Sequence, residues 1–115
     1  MYKREKELDK QNGTDNASRY KKAADFLHDY LVNDYSRIQS GDAKGCFFHK
    51  DIYPDQMWLD GLYMGAAFYA EWQANFEPDN EQAWTDIAHQ FKTIARRTYD
   101  KDKQLYYHAW SANPE

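Results

Sequence analysis

The chain has 115 residues, enough for one small domain with a modest core. Its net charge of −4 comes from interspersed charges, so no basic patch points to nucleic acid or an anionic membrane. The lone Cys46 excludes an internal disulfide and a thiolate metal site, as suits a reducing compartment. No apolar run approaches the ~20 residues that span a bilayer. Met1-Tyr2-Lys3-Arg4 leads into charge rather than a signal-peptide core, so the chain reads as cytoplasmic. Aromatics are the outlier, at ten Tyr, six Phe and four Trp, more than core packing alone would use.

Four helical stretches are expected, with almost no strand signal. Lys3 to Lys10 is nearly all charge, with Leu8 alone to bury, and looks like the end of a longer helix. Gly13-Thr14-Asp15-Asn16 supplies turn and N-cap residues for a second helix from Ala17 to about Gln39. There Tyr20, Ala23, Ala24, Leu27, Tyr30, Leu31 and Ile38 recur at helical spacing, with Lys21, Lys22, Asp25 and Asp29 between them. Ser40 to Gly45 breaks that helix, and Pro54 suits the first turn of the next, about Asp55 to Phe76. Apolar residues cover every face of this third helix, which predicts burial all round. Asp79 and Gln82 form a capping-box pattern before a fourth helix that runs to about Thr98. Its stripe is Trp84, Ile87, Ala88, Phe91, Ile94 and Ala95, with Asp86 and Gln90 outside it. Leu105 to Trp110 reads as a short extended stretch. The order amphipathic, all-apolar, amphipathic is that of outer and inner helices in a two-layered helical toroid.

Chemistry is concentrated between Gly45 and Met64. Rings, His49, Lys50 and acids share a loop that passes straight into the apolar helix. Sugar sites need this mixture, because flat rings stack on C–H faces while a few polar groups read hydroxyls and carboxylates. Asp60 lies near the start of a segment too apolar to carry an idle charge, and is the candidate acid/base.

His49-Lys50, then Tyr53-Pro54-x-Gln56-Met57-Trp58-Leu59-Asp60-Gly61-Leu62-Tyr63-Met64, and later Leu105-Tyr106-Tyr107-His108-x-Trp110, resemble the unsaturated rhamnogalacturonyl hydrolases. These are glycoside hydrolases of family 105, related to the unsaturated glucuronyl hydrolases of family 88, and the resemblance extends from about Tyr20 to Trp110. It implies an all-α fold that is part of an (α/α)6 barrel, with outer helices from Ala17 and Glu81 and an inner one from Asp55. It also implies that Asp60 is the catalytic acid, and that the loop from His49 and Lys50 to Tyr53 and the block of Tyr107, His108 and Trp110 contact substrate, to which the residue types add Trp58 as a stacking platform. The substrate implied is an oligosaccharide ending in an unsaturated uronic acid, and no cofactor is called for. Cys46 and Phe48 stand where the family usually has Gly and Trp. A second catalytic-site Asp and a Trp-Gly-Arg block are expected outside the two ends, so residues 1–115 read as one partial catalytic domain. Such a piece is expected to self-associate through its exposed apolar faces.

Each residue also has a plainer reading. Asp60 can be a helix N-terminal carboxylate held by the helix dipole. His49 can be a core histidine, a metal ligand or a substrate donor, and the lack of a second His at ligand spacing disfavours metal. Tyr53 and Trp58 are stacking platforms or packing residues, and Lys50 pairs a uronate carboxylate or is a solvated loop charge. His28, His89, Asp51, Asp55 and Asp86 read as structural or exposed. For the whole chain the alternative to catalysis is a non-catalytic helical module that binds carbohydrate or a partner through its aromatic face.

Overall fold

The computed structural model describes residues 1–113, which divide into two compact units, Met1–Asp34 and the chain from Tyr35 onward. Among the described residues no helix is long and apolar enough to cross a membrane.

In the first unit, α1 (Tyr2–Asn12) stops at Gly13, whose left-handed backbone (φ 66°) lets its N–H return to the Asp9 carbonyl at 2.8 Å. The Asp9 side chain then begins α2 (Ala17–Asp29). It accepts from the Thr14 hydroxyl (2.5 Å), the Asn16 N–H (3.0 Å) and the Ala17 N–H (2.7 Å). These donors, Thr14 first, hold the Asp9 carboxyl below the usual carboxylate range. The cap thus comes from the preceding helix rather than from Asn16, whose side chain makes no cap bond. Beyond α2 the chain widens into a π-helical turn, Tyr30–Asp34, so the helix expected to reach Gln39 ends five residues early. Phe26, Leu27 and Tyr30 are exposed.

The second unit is built on α5 (Glu81–Thr98), whose N-cap is Asn80, accepting from the Ala83 N–H at 3.2 Å, rather than Asp79. The buried face of α5 is Ala83, Ile87, Gln90, Thr93, Ile94 and Thr98, so Gln90, expected outside, is inside, while Phe91 is exposed. Local hydrogen bonding explains this. The Gln90 side chain accepts from the Phe47 N–H (2.9 Å) and donates to the Gly45 carbonyl (3.1 Å) and to Asp86 (3.0 Å). A buried amide with all these partners costs little. Arg37 completes the cluster with two bonds to Asp86 (2.9 and 3.0 Å), one to the Gly45 carbonyl (2.8 Å), and its guanidinium 4.1 Å over the Phe47 ring. Asp42 pairs Arg96 and Arg97 from the same loop.

Strand β1 (Gln56–Trp58) replaces the first turn expected of the third helix. It pairs antiparallel with β4 (Ala109–Ser111) in the register Gln56↔Ser111, Met57↔Trp110, Trp58↔Ala109. Bonds from Leu59 N–H to the His108 carbonyl and from Ala112 N–H to the Asp55 carbonyl, both 2.9 Å, close its two ends. The chain then turns helical through α3 (Leu59–Gly61), a π-helical turn (Leu62–Ala66) and α4 (Ala67–Phe76). Only one stripe of that path, Ala66, Tyr69 and Gln73, is buried, and Tyr63 is 85% exposed. Burial all round is therefore not what this chain provides; α5 covers one side. After α5, β2 (Tyr99–Asp100) and β3 (Leu105–Tyr106) form a hairpin, and Tyr107 N–H returns to the Thr98 carbonyl at 2.8 Å. The core is Ile38, Ala43, Cys46, Met57 and Ile94, flanked by Phe48, Leu59, Leu62 and Trp110.

Candidate active site

The segment from His49 to Gln56 is a loop tied at its own neck. His49 N–H donates to the Gln56 carbonyl (2.7 Å), Tyr53 N–H to that of Lys50 (2.9 Å), and Gln56 N–H to that of Tyr53 (3.3 Å). Asp55 takes a left-handed backbone (φ 59°) to make the return into β1. This brings three rings into near-parallel planes. His49 lies flat on Trp58, with centroids 4.3 Å apart and 5° between planes. Tyr53 is 5.3 Å from Trp58 at 18°, and 6.4 Å from His49 at 14°. The Trp58 indole N–H is fixed by the Gln56 side-chain oxygen at 3.0 Å.

Alternation along β1 then sorts the residues by face. Gln56 and Trp58 point one way, and Met57 points into the core. Asp60 follows two residues after Trp58, in the first turn of α3, where a carboxylate suits the helix N-terminus. His108 arrives from 48 positions downstream because Leu59 N–H holds its carbonyl. Its ring stands edge-on to Trp58 at 5.2 Å, and its Nε2 lies 4.0 Å from Asp60 Oδ2. Both side chains are more than half exposed, so this is a solvent-facing acid beside an imidazole rather than a buried ion pair.

His49 is the buried member, at 9% exposure. Burial, then the Lys50 charge and His108, push its imidazole below the ordinary value, while Asp60 works the other way. Lys50 itself is exposed at the loop edge.

Asp60, His49, Tyr53, Trp58 and His108 therefore come together, with Lys50 at the rim. Trp110 does not join them. It is Met57's partner in the ladder, packs against the core cluster, and has the Arg97 guanidinium 4.9 Å over its ring. It backs the strand that carries Trp58. Among the described residues no cluster of three or more His, Cys, Asp or Glu could hold a metal ion.

Two positioning groups were not singled out from the sequence. Gln56, inside the motif, fixes both Trp58 and the loop neck, and its amide beside two ring residues was the available signal. Tyr35, whose hydroxyl donates to the His49 carbonyl at 3.0 Å, lies 14 residues upstream in a segment read as helix, and nothing local marks it.

Residues 8–115 match the family model for Glycosyl Hydrolase Family 88. The chain is also similar to a family 105 glycoside hydrolase from C. acetobutylicum ATCC 824, with 36% identity and a TM-score of 0.75. That match covers 96% of this chain and 28% of the C. acetobutylicum chain. The all-α class expected from the sequence holds, and the chain corresponds to part of an (α/α)6 barrel. With the motif residues, the helical framework and the family model in agreement, this chain belongs to glycosyl hydrolase family 88.

Proposed function

We propose that this chain forms the acid-bearing part of a hydrolase acting on oligosaccharides that end in a 4,5-unsaturated uronic acid. The observation that carries the reading is the placement of Asp60: an exposed carboxylate in a helical first turn, 4.0 Å from His108 Nε2 and beside the ring stack of Trp58, His49 and Tyr53.

The unsaturated uronate is an enol ether, so its C4 is basic. Asp60 delivers a proton to C4, and the positive charge that develops at C5 is shared with the ring oxygen. Water adds at C5 and returns its proton to Asp60, restoring the acid. The C5 hemiketal opens to a ketone, C1 is left as a hemiacetal, and the aglycone departs as an alcohol. One carboxyl thus serves as acid and then base, so the paired-carboxylate spacing of ordinary glycosidases is not required. In this reading His49 and His108 hydrogen-bond the sugar, Lys50 pairs its carboxylate, Tyr53 and Trp58 offer ring faces, and Trp110 supports Trp58 from behind.

The test uses the 115 residues set in place of the matching segment of the C. acetobutylicum enzyme, assayed with an unsaturated uronyl disaccharide in D₂O. The reading expects loss of the conjugated ultraviolet absorbance and one deuterium at C4 of the released uronate. In ¹⁸O-water, label should first enter at C5. Product that keeps its double bond, with label at C1, would overturn it. A second reading, a non-catalytic carbohydrate-binding module, draws on the ring stack, which does not involve Asp60. It expects Asp60→Asn to leave sugar binding unchanged in a protein that turns nothing over.

A further inference from the structure

His49 is held more tightly than a sugar contact requires. Both polar groups of its main chain are engaged, the N–H by the Gln56 carbonyl (2.7 Å) and the carbonyl by the Tyr35 hydroxyl (3.0 Å). The imidazole is pressed flat on Trp58 at 4.3 Å, so one face is closed. The ring's Nδ1 is sealed from solvent and has no hydrogen-bond partner among the described residues. It faces Gly61, where an added Cβ would stand 3.9 Å away.

A histidine's tautomer is set by what its two nitrogens meet. A proton on Nδ1 would be a buried donor aimed at a glycine C–H, which accepts nothing. A bare Nδ1 leaves only a lone pair unused, and a C–H is at worst neutral toward a lone pair. We propose that His49 is a hydrogen-bond donor of fixed tautomer, carrying its proton on Nε2, and that Tyr35 is the positioning residue that keeps the ring in place. The choice of acceptor, an oxygen of the uronyl ring, rests on the function proposed above; the tautomer does not.

The groups around the ring bear on whether a second proton joins. Lys50 from the same loop and His108 before β4 oppose it, Asp60 on α3 favours it, and the phenols of Tyr53 and Tyr35 adjoin its ring and its carbonyl. Burial is the largest influence and opposes it as well. His49 therefore stays a neutral donor to lower pH than an exposed histidine, and it is no candidate for the base.

Long-range ¹H–¹⁵N correlation spectra of the 115-residue chain read the tautomer directly, with His49→Gln identifying its ring among the four histidines. The expected result is a protonated Nε2 and a bare Nδ1, with a titration midpoint below that of a free histidine. A protonated Nδ1, or averaged shifts of two exchanging tautomers, would overturn the proposal. Tyr35→Phe should keep the fold and move the His49 shifts toward averaged values; unchanged shifts would remove Tyr35 from the positioning role. In the chimeric barrel, His49→Gln, whose side-chain N–H falls near Nε2, should bind the disaccharide within about threefold of the parent. His49→Asn, whose N–H falls near Nδ1, should bind about tenfold more weakly, the worth of one hydrogen bond. A fixed Nε2 proton in a barrel that binds no sugar would sink the proposed function and leave the tautomer standing.

Discussion

Asp86→Ala should cost this chain about 2–3 kcal/mol of folding stability, although Asp86 touches no residue of the candidate site directly. The carboxylate takes two bonds from Arg37 at 2.9 and 3.0 Å and one from Gln90 at 3.0 Å, and the two charged side chains are only 20% and 22% exposed. At an effective dielectric of about 20, charges ~3 Å apart attract by roughly 5–6 kcal/mol, most of it offset by removing both from water. Deleting one partner of a fully buried pair costs about 3–5 kcal/mol, because the other is stranded. Here the fifth that stays exposed admits water. Arg37 also keeps the Gly45 carbonyl and the Phe47 ring, so the lower end of that range, discounted further, applies. Urea unfolding of Asp86→Ala, Arg37→Ala and the double variant supplies the cycle, and the coupling between the two should exceed about 1 kcal/mol. A cost under about 0.5 kcal/mol for Asp86→Ala, or additive single effects, would refute the argument that this pair fastens the 37–47 loop to α5.

In the chimeric barrel, Asp60→Asn should lower turnover on the order of 10²–10⁴-fold with substrate still bound, since the amide keeps shape but cannot cycle a proton. Near-full turnover would move the acid elsewhere. Tyr69 is buried beside Asp86, and burial followed by that carboxylate pushes its phenol from 10 up to about 12. The folded state therefore holds this proton more tightly than the unfolded one. Its contribution is complete below pH 10 and is lost as the pH rises from 10 to about 12, which unfolding followed against pH would reveal. Asp86→Asn should bring that window down, and a phenol still titrating near 12 would remove Asp86 as a cause. The isolated chain should bind a dye that reports apolar surface and should self-associate, because Tyr63, Met64 and Leu105 are exposed together with Ile52. A dye-silent monomer by light scattering would count against this.

The parts legible in the sequence were those fixed by short-range chemistry. α5 ends at Thr98 as its periodicity implied, and Asp60 lies near a helix start as the switch from loop to apolar run implied, although that helix begins at Leu59 rather than about Asp55. What escaped depended on distant partners. Gln56 to Trp58 carries the start of an apolar helical pattern, yet it is extended because Ala109 to Ser111, some fifty residues later, supplies its hydrogen bonds. Gln90 looked like a surface residue until a loop 43 residues earlier offered it Phe47 and Gly45. Trp110 shares a motif with His108, but it lies opposite Met57 in the ladder and shares that residue's core-facing side, whereas His108 stands before the strand begins. The ring stack itself was half visible: the residue types suggested platforms, whereas the flat contact of His49 on Trp58 needed the neck of the loop to close.

The pairing of β1 with β4 makes core and site answer to one variable. Trp58 and Met57 occupy opposite faces, and Asp60 and His108 both lie just past the Trp58–Ala109 end of the ladder. A slip of one residue would bury the indole, expel the methionine and separate the acid from the imidazole in a single step. A chain that packs its core correctly has therefore already set Asp60 beside His108. The tip of the β2–β3 hairpin, Lys101 to Gln104, should lengthen or shorten without altering the geometry at Asp60, whereas a polar residue at position 57 should disturb the ring stack and Asp60 from the core side.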